Sequence, residues 1–448
     1  MPSAAPPIPT ARIAAPAASP SWLAAQGRLP LAFMGLGLAW LVAGSALLAA
    51  NPWILSLPQM TPPVIALVHA WVLGFFVTVA CGAVYQLAPV ALGTTLASER
   101  RGWWHFWLHA AGVPGMVYAF WRWDMALLGH FGTAVALGVI FFADNTWRTV
   151  LRSGKRGPVA WSLALAAGWI LLTVLAGLTV AANKFWAFIP ADPLALLRAH
   201  AHLGIIGFFA TLLQGAGFQL IPMFTLAEVP DWRPAKAGLV LSQTGLLGLV
   251  PCLAVDFRAG TVLSALLVAA GFAFSGYGLA RTFSTRRKRA VDPGVLALFL
   301  GLGGLGAAAV AGLALALADP RTASGGMNAV SYGVLALVGG LLPCIAGIMC
   351  KVVPFLVWMR AYGPRVGRGP TPAAASLSHA GLEKLGLGLM GASLLPLLVG
   401  SGNSSIPALT AGAGLLATGV FFFAGNLLRV MSHLWRPAGL APAPGGKP

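Results

Sequence analysis

Residues 69–90 read HAWVLGFFVTVACGAVYQLAPV, and residues 202–224 read HLGIIGFFATLLQGAGFQLIPMF. At an offset of 133, His69 meets His202, Gly74 meets Gly207, and Phe75-Phe76 meets Phe208-Phe209. Thr78 then meets Thr211, Gly82 meets Gly215, Gln86 meets Gln219 and Pro89 meets Pro222, without a gap. A third copy follows at an offset of 132, where Gly339, Gly347 and Pro354 fall on the two glycines and the proline. There Val334 replaces the histidine and Lys351 the glutamine. Self-similarity at a fixed period marks a repeat architecture.

These three stretches lie inside apolar runs long enough to cross a bilayer, which takes about 20 residues. Such runs fall near 30–49, 63–90, 103–121, 124–144, 159–182, 195–224, 237–255, 260–280, 294–318, 328–358, 373–399 and 405–430. The repeated run is the second of four each time. The chain therefore reads as an all-α, twelve-helix membrane domain over 29–432, built of three four-helix repeats (about 29–157, 158–292 and 293–432). An even number of spans keeps the copies in one orientation, unlike inverted-repeat transporters. The expected arrangement is a ring about a pseudo-threefold axis, lined by spans 2, 6 and 10.

Composition agrees. Of 448 residues, 58% are hydrophobic and 8% charged, where soluble domains carry roughly 25% charged. That excludes a soluble enzyme, a disordered protein and a disulfide-stapled secreted domain. The four cysteines show no C-x-x-C spacing and read as small buried residues. The net charge of +18 does not mark a nucleic-acid partner, because the basic residues sit in breaks between apolar runs rather than on one aromatic-interleaved face.

Those breaks give a direction. With both termini in the cytoplasm, 21 Lys and Arg fall on the cytoplasmic side. They include Arg100, Arg101, Arg148 and Arg152 and the RTFSTRRKR run at 281–289. Only Arg122, Lys184, Arg198, Arg258 and Arg321 face outward, while Lys351 and Lys384 lie within spans. The positive-inside rule then predicts a multi-pass protein of the bacterial inner membrane, with cytoplasmic tails at 1–28 (disordered, Ala/Pro-rich) and 433–448.

Eight histidines are present, and an ionisable residue at membrane depth is a functional candidate. His69, His200 and His202 stand near the outer starts of spans 2 and 6, and His130 in the outer half of span 4. Imidazole ligates haem iron and copper. Equivalent placement makes His69 and His202 candidate cofactor ligands approaching one shared outer cavity; hydrogen bonding to a carbonyl or serine is the alternative. His200 points about 160° from His202 on a regular helix, so both face one metal only if the helix start unwinds. His105 and His109, at i, i+4 within GWWHFWLHAAG, read as interface packing, with chelation as the alternative. His379 and Glu383 read as a local ion pair or proton relay, His433 as solvated, and Asp144 as the partner of Arg148.

Three four-span repeats with histidines near the outer ends of spans 2 and 6 resemble subunit I of the haem-copper oxidase superfamily. The cbb-type cytochrome oxidases and nitric oxide reductases are the nearest likeness. The likeness is carried by His202, Gly215, Phe218 and Pro222 in span 6. The resemblance implies that His202 matches the helix-6 copper or non-haem iron ligand and His69 the helix-2 low-spin haem ligand. Span 7 (AKAGLVLSQTGLLGLVP) lacks the family's histidine pair, and span 10 its two histidines, with Tyr332 and Val334 at the offsets of His200 and His202. The expectation is a divergent member that is not an oxygen reductase. It would bind haem and/or copper through His69 and His202, with His200 beside His202 at a metal. It would serve electron transfer or nitric oxide or metal handling, and any enzymatic role would be oxidoreductase chemistry. Its expected partners are the lipid bilayer and respiratory electron-transfer proteins. The alternative is a non-redox permease or respiratory-complex assembly factor on the same fold.

Overall fold

The structure is a computed structural model that describes residues 27–228, 231–317, 323–366 and 370–437. Residues 1–26 of the N-terminal tail, the tail beyond 437, and Arg12, Arg321, Arg368 and Lys447 lie outside the described residues.

Apolar runs become helices because lipid offers the backbone no hydrogen-bond partners. Among the described residues there are α1 (Arg28–Ala50), α2 (Pro62–Leu92), α3 (Glu99–Arg122), α4 (Met125–Ser153), α5 (Pro158–Trp186) and α6 (Pro193–Thr225). Next come α7 (Trp232–Ala254), α8 (Arg258–Ser284), α9 (Pro293–Leu317), α10 (Asn328–Ala361), α11 (Ala380–Asn403) and α12 (Ile406–Ser432). Eleven of them are long and apolar enough to cross a membrane. The other, α3, has 24 residues, about 36 Å of helix. Its histidines, tryptophans and tyrosine lower its hydropathy. The expected run at 373–399 starts later as a helix, because a 3₁₀ turn at Ala374–Leu377 precedes it and His379 caps α11 by accepting from the Leu382 N–H.

Packing follows the order of the chain. α1 packs on α2, α5 on α6 and α9 on α10; α3 packs on α4, α7 on α8 and α11 on α12. Between the expected repeats, α4 meets α5, α8 meets α9, and α12 returns to α1. α2 and α6 are the most buried helices and α10 follows them, whereas α5, α8 and α9 bury a third of their apolar windows or less. Outward side chains such as Val310, Leu395 and Phe421 are exposed and apolar, as lipid contact requires. Exposed tryptophans girdle both ends: Trp53, Trp123 and Trp186 at one, Trp104, Trp107 and Trp161 at the other. Such belts mark bilayer interfaces.

α2, α6 and α10 share a further feature. Each contains a π-helical stretch, at Ala70–Val77, Leu203–Ala210 and Leu335–Leu341. In α2 and α6 it begins immediately after His69 and His202. Thr78 and Thr211 close these wider turns by donating their hydroxyls to the carbonyls of Leu73 and Ile206, five residues back. Beside them, Gly74 and Gly207 let the indoles of Trp40 and Trp169 lie against the backbone, where a Cβ would collide.

Candidate functional site

His69, His200 and His202 stand at the ends of the short α-helical segments Pro62–His69 and Pro193–His202. His69 donates Nδ1–H to the Ile65 carbonyl at 2.8 Å, and His202 donates Nδ1–H to the Arg198 carbonyl at 2.8 Å. Each bond reaches back one turn. It fixes the tautomer, so Nε2 carries the free lone pair on both rings. Metal-bound histidines are oriented by this kind of second hydrogen bond.

The structure does not bring His69 and His202 to one cavity. α6 touches both α2 and α10, and its i, i+2 histidines face opposite ways. His200 faces α2, where its ring lies 6.5 Å from that of His69 with the planes 13° apart. His202 faces α10, where its ring lies 6.1 Å from that of Tyr332 with the planes 20° apart, and the Tyr332 hydroxyl donates to Nε2 at 3.3 Å. The expected shared cavity is therefore corrected to two clefts, and the pairing of His200 with His202 at one metal is corrected to two separate partners. The geometric reason is the regular helix up to residue 202.

The clefts differ in size. The first, around His69 and His200, encloses about 130 Å³. Its His69 ring is covered by Phe120 at 4.4 Å, and His200 Nδ1 is buried without a hydrogen-bond partner. The second, around His202 and Tyr332, encloses about 780 Å³ between α6, α7, α8, α9 and α10. Its walls are apolar, with Gln214 and Ser275 deeper in and Arg198, Asp256 and Arg258 also lining it. Arg198 pairs with Asp256 at 3.3 Å, and Arg258 donates to the final carbonyls of α9.

Elsewhere the polar residues resolve differently from their sequence reading. His105 and His109 are fully buried rather than spread at an interface. Tyr85 meets His105 Nδ1 at 3.0 Å, and His109 Nε2 lies 2.9 Å from the Thr78 hydroxyl and 3.1 Å from the Leu73 carbonyl. The surrounding tryptophans masked this inward face, and the only sequence signal was Tyr85 and Thr78 breaking an apolar run. His379 caps a helix, so it does not pair with Glu383, which lies buried beside Cys350 and the Gly294 backbone. His433 is bonded to the Tyr362 hydroxyl at 2.8 Å rather than solvated; burial, then Arg429, pushes its imidazole below the ordinary value. His130 is exposed. Asp144 pairs with Arg148 as expected, and also with Arg101.

At the basic end, Lys351 of α10 pairs with Asp292, which Lys288 also holds at 2.8 Å. Burial alone would raise the Asp292 carboxyl, but the two ammonium groups outweigh it and hold it below the usual carboxylate range. Among the described residues no group of three or more His, Cys, Asp or Glu side chains could hold a metal ion. No family model matches the chain, and no curated protein matches it.

Proposed function

We propose that this protein is an integral membrane haem protein of the electron-transfer or nitric-oxide-handling type, with its porphyrin in the second cleft. One observation carries the reading: the Nε2 of His202, its tautomer set by Arg198, opens on a cavity of about 780 Å³. Ligand cavities span roughly 300–1,000 Å³, so the space suits a porphyrin, whereas the first cleft is several-fold too small. The donor set agrees. Haem iron needs one or two protein ligands, so the lack of a three-residue metal group does not count against it. His202 is the axial candidate through Nε2, which would exchange its hydrogen bond from Tyr332 for the iron and free the phenol as a second ligand.

Arg198 and Arg258, which line the same cavity, suit the carboxylates of such a group, since guanidinium–carboxylate pairs are strong in low dielectric. Apolar walls exclude water. A bound haem supplies one-electron redox chemistry, which the chain's own side chains lack.

The same reading places the chain in the bacterial inner membrane, basic end and both termini in the cytoplasm, with respiratory electron-transfer proteins as partners. A pseudo-threefold ring of four-helix units is supported by the matching helix contacts and by the three π-helical stretches at equivalent positions.

The test is an absorbance spectrum of the detergent-purified protein from haem-sufficient cells. A Soret band in the wild type and its loss in His202→Ala are expected. A colourless wild type, or a His202→Ala variant with an unchanged Soret band, overturns the reading.

A further inference from the structure

The first cleft has a different chemistry. We propose that it is a site for a single monovalent copper ion, held by His69 and His200 with methionine thioethers around it. The site shares no residue with the proposed haem cleft and does not depend on it.

The argument begins with the imidazoles. Metal–imidazole bonds are about 2 Å long, so two rings on opposite sides of one ion hold their centres about 6 Å apart. The rings of His69 and His200 stand 6.5 Å apart, stacked with their planes 13° apart, so the separation suits one ion and a turn of the His200 ring brings its lone pair onto it. His200 brings a buried Nδ1 without a hydrogen-bond partner, and His69, whose Nδ1–H is committed to Ile65, brings its unprotonated Nε2. A buried polar nitrogen left unpaired in an apolar interior costs about 1–3 kcal/mol. The Nδ1 of His200 is such a group on this small cavity, and a bound ion removes its cost.

Ligand softness selects the ion. Met60, from the turn before α2, Met116 of α3 and Met125 of α4 line the same cavity. No carboxylate lines it, and its one charged lining residue is the exposed Lys184. Calcium and magnesium need oxygen ligands. Structural zinc wants four ligands, commonly with anionic thiolates. A divalent ion would also bring two uncompensated charges into an apolar wall. Thioether and neutral imidazole ligands together favour monovalent copper, a soft ion of low charge. The cavity of about 130 Å³ is too small for a porphyrin but ample for one ion, and Phe120 packs against the His69 ring at 4.4 Å, tilted by 34°.

The test is an anaerobic titration of the full-length, detergent-purified protein with monovalent copper under ascorbate, against a chromophoric copper(I) chelator. One equivalent is expected to be taken from the chelator. His69→Phe and His200→Phe should each weaken binding by more than the roughly 10–100-fold lost when only an outer partner of a ligand is removed. Met116→Leu keeps the volume and should weaken it about tenfold, and X-ray absorption should show nitrogen and sulfur scatterers around the ion. Met116→Leu and the spectrum keep the test sharp if a histidine variant misfolds. His202→Ala should retain the copper while losing the Soret band, so the two readings fail separately. A wild type that takes up no copper, a His69→Phe variant that binds as tightly as the wild type, or a Soret band that persists in His202→Ala and vanishes in His69→Phe overturns the proposal.

Discussion

The two clefts use one construction with different contents. In each, the histidine at the end of a repeated helix faces a residue two positions earlier on the next repeated helix: His69 faces His200, and His202 faces Tyr332. The next step of the sequence offsets names Val334 and Leu67, both buried and both apolar. The two clefts thus present an imidazole pair and an imidazole–phenol pair. The difference teaches that the fold supplies the spacing, whereas the side chains at two positions per helix decide whether a cleft can hold anything. The third repeat departs at its other end as well, with Lys351 where Gln86 and Gln219 stand.

The largest expected effect comes from making the second cleft like the first. Tyr332→His should place two imidazoles about 6 Å apart across a space large enough for a porphyrin. The absorbance spectrum is expected to change to that of a six-coordinate, bis-imidazole haem. An unchanged spectrum would mean that position 332 does not face the iron, and the correspondence between the clefts would break.

The shared construction also rests on close packing behind each histidine. Gly74→Leu and Gly207→Leu should each destabilise by about 3 kcal/mol or more, because Trp40 and Trp169 occupy the space a side chain needs. Gly414→Leu, with open space around it, should stay within about 0.5 kcal/mol of the wild type. Thermal melting of the three variants in one detergent checks this. Equal melting points would show that the glycines do not set the helix spacing.

Much of this was legible in the sequence. Each of the twelve apolar runs holds a helix, since burial in lipid leaves the backbone one solution, although α4 runs nine residues further than its expected run and α11 starts seven residues later. The offsets of 133 and 132 picked out His69, His202 and the position of Tyr332, which line the two clefts. The partnership of those residues was not legible. Equivalence in a repeat puts His69 and His202 at one depth, but a rotation separates equivalent atoms instead of bringing them together. It pairs each with a non-equivalent residue on its neighbour. The methionines were hidden for another reason, since Met60, Met116 and Met125 belong to three separate segments and follow no spacing. Val334→His probes that rule directly. It adds an imidazole at a buried apolar position, and should cost about 2 kcal/mol, the price of an unpaired buried polar group. No loss in melting temperature would mean that position 334 reaches water or a polar partner.

The smallest effect is expected at the other end of α10. Lys351→Gln restores the residue of the first two repeats and removes one of the two ammonium groups on Asp292, leaving Lys288. Asp292 is part-exposed, so screening limits the loss to about 1 kcal/mol or less near neutral pH. Its carboxyl is held below the usual range in the folded protein. The pair's contribution is therefore fully present above the unfolded value near 4, and is lost as pH falls through the lower folded value. The gap in melting temperature between wild type and Lys351→Gln should be widest at pH 6–7 and close as pH falls below about 4. A gap that stays constant across that range would assign the role of Lys351 to the packing of its hydrocarbon stem against α9 and α11. The charge difference between the third repeat and the other two would then carry no electrostatic weight.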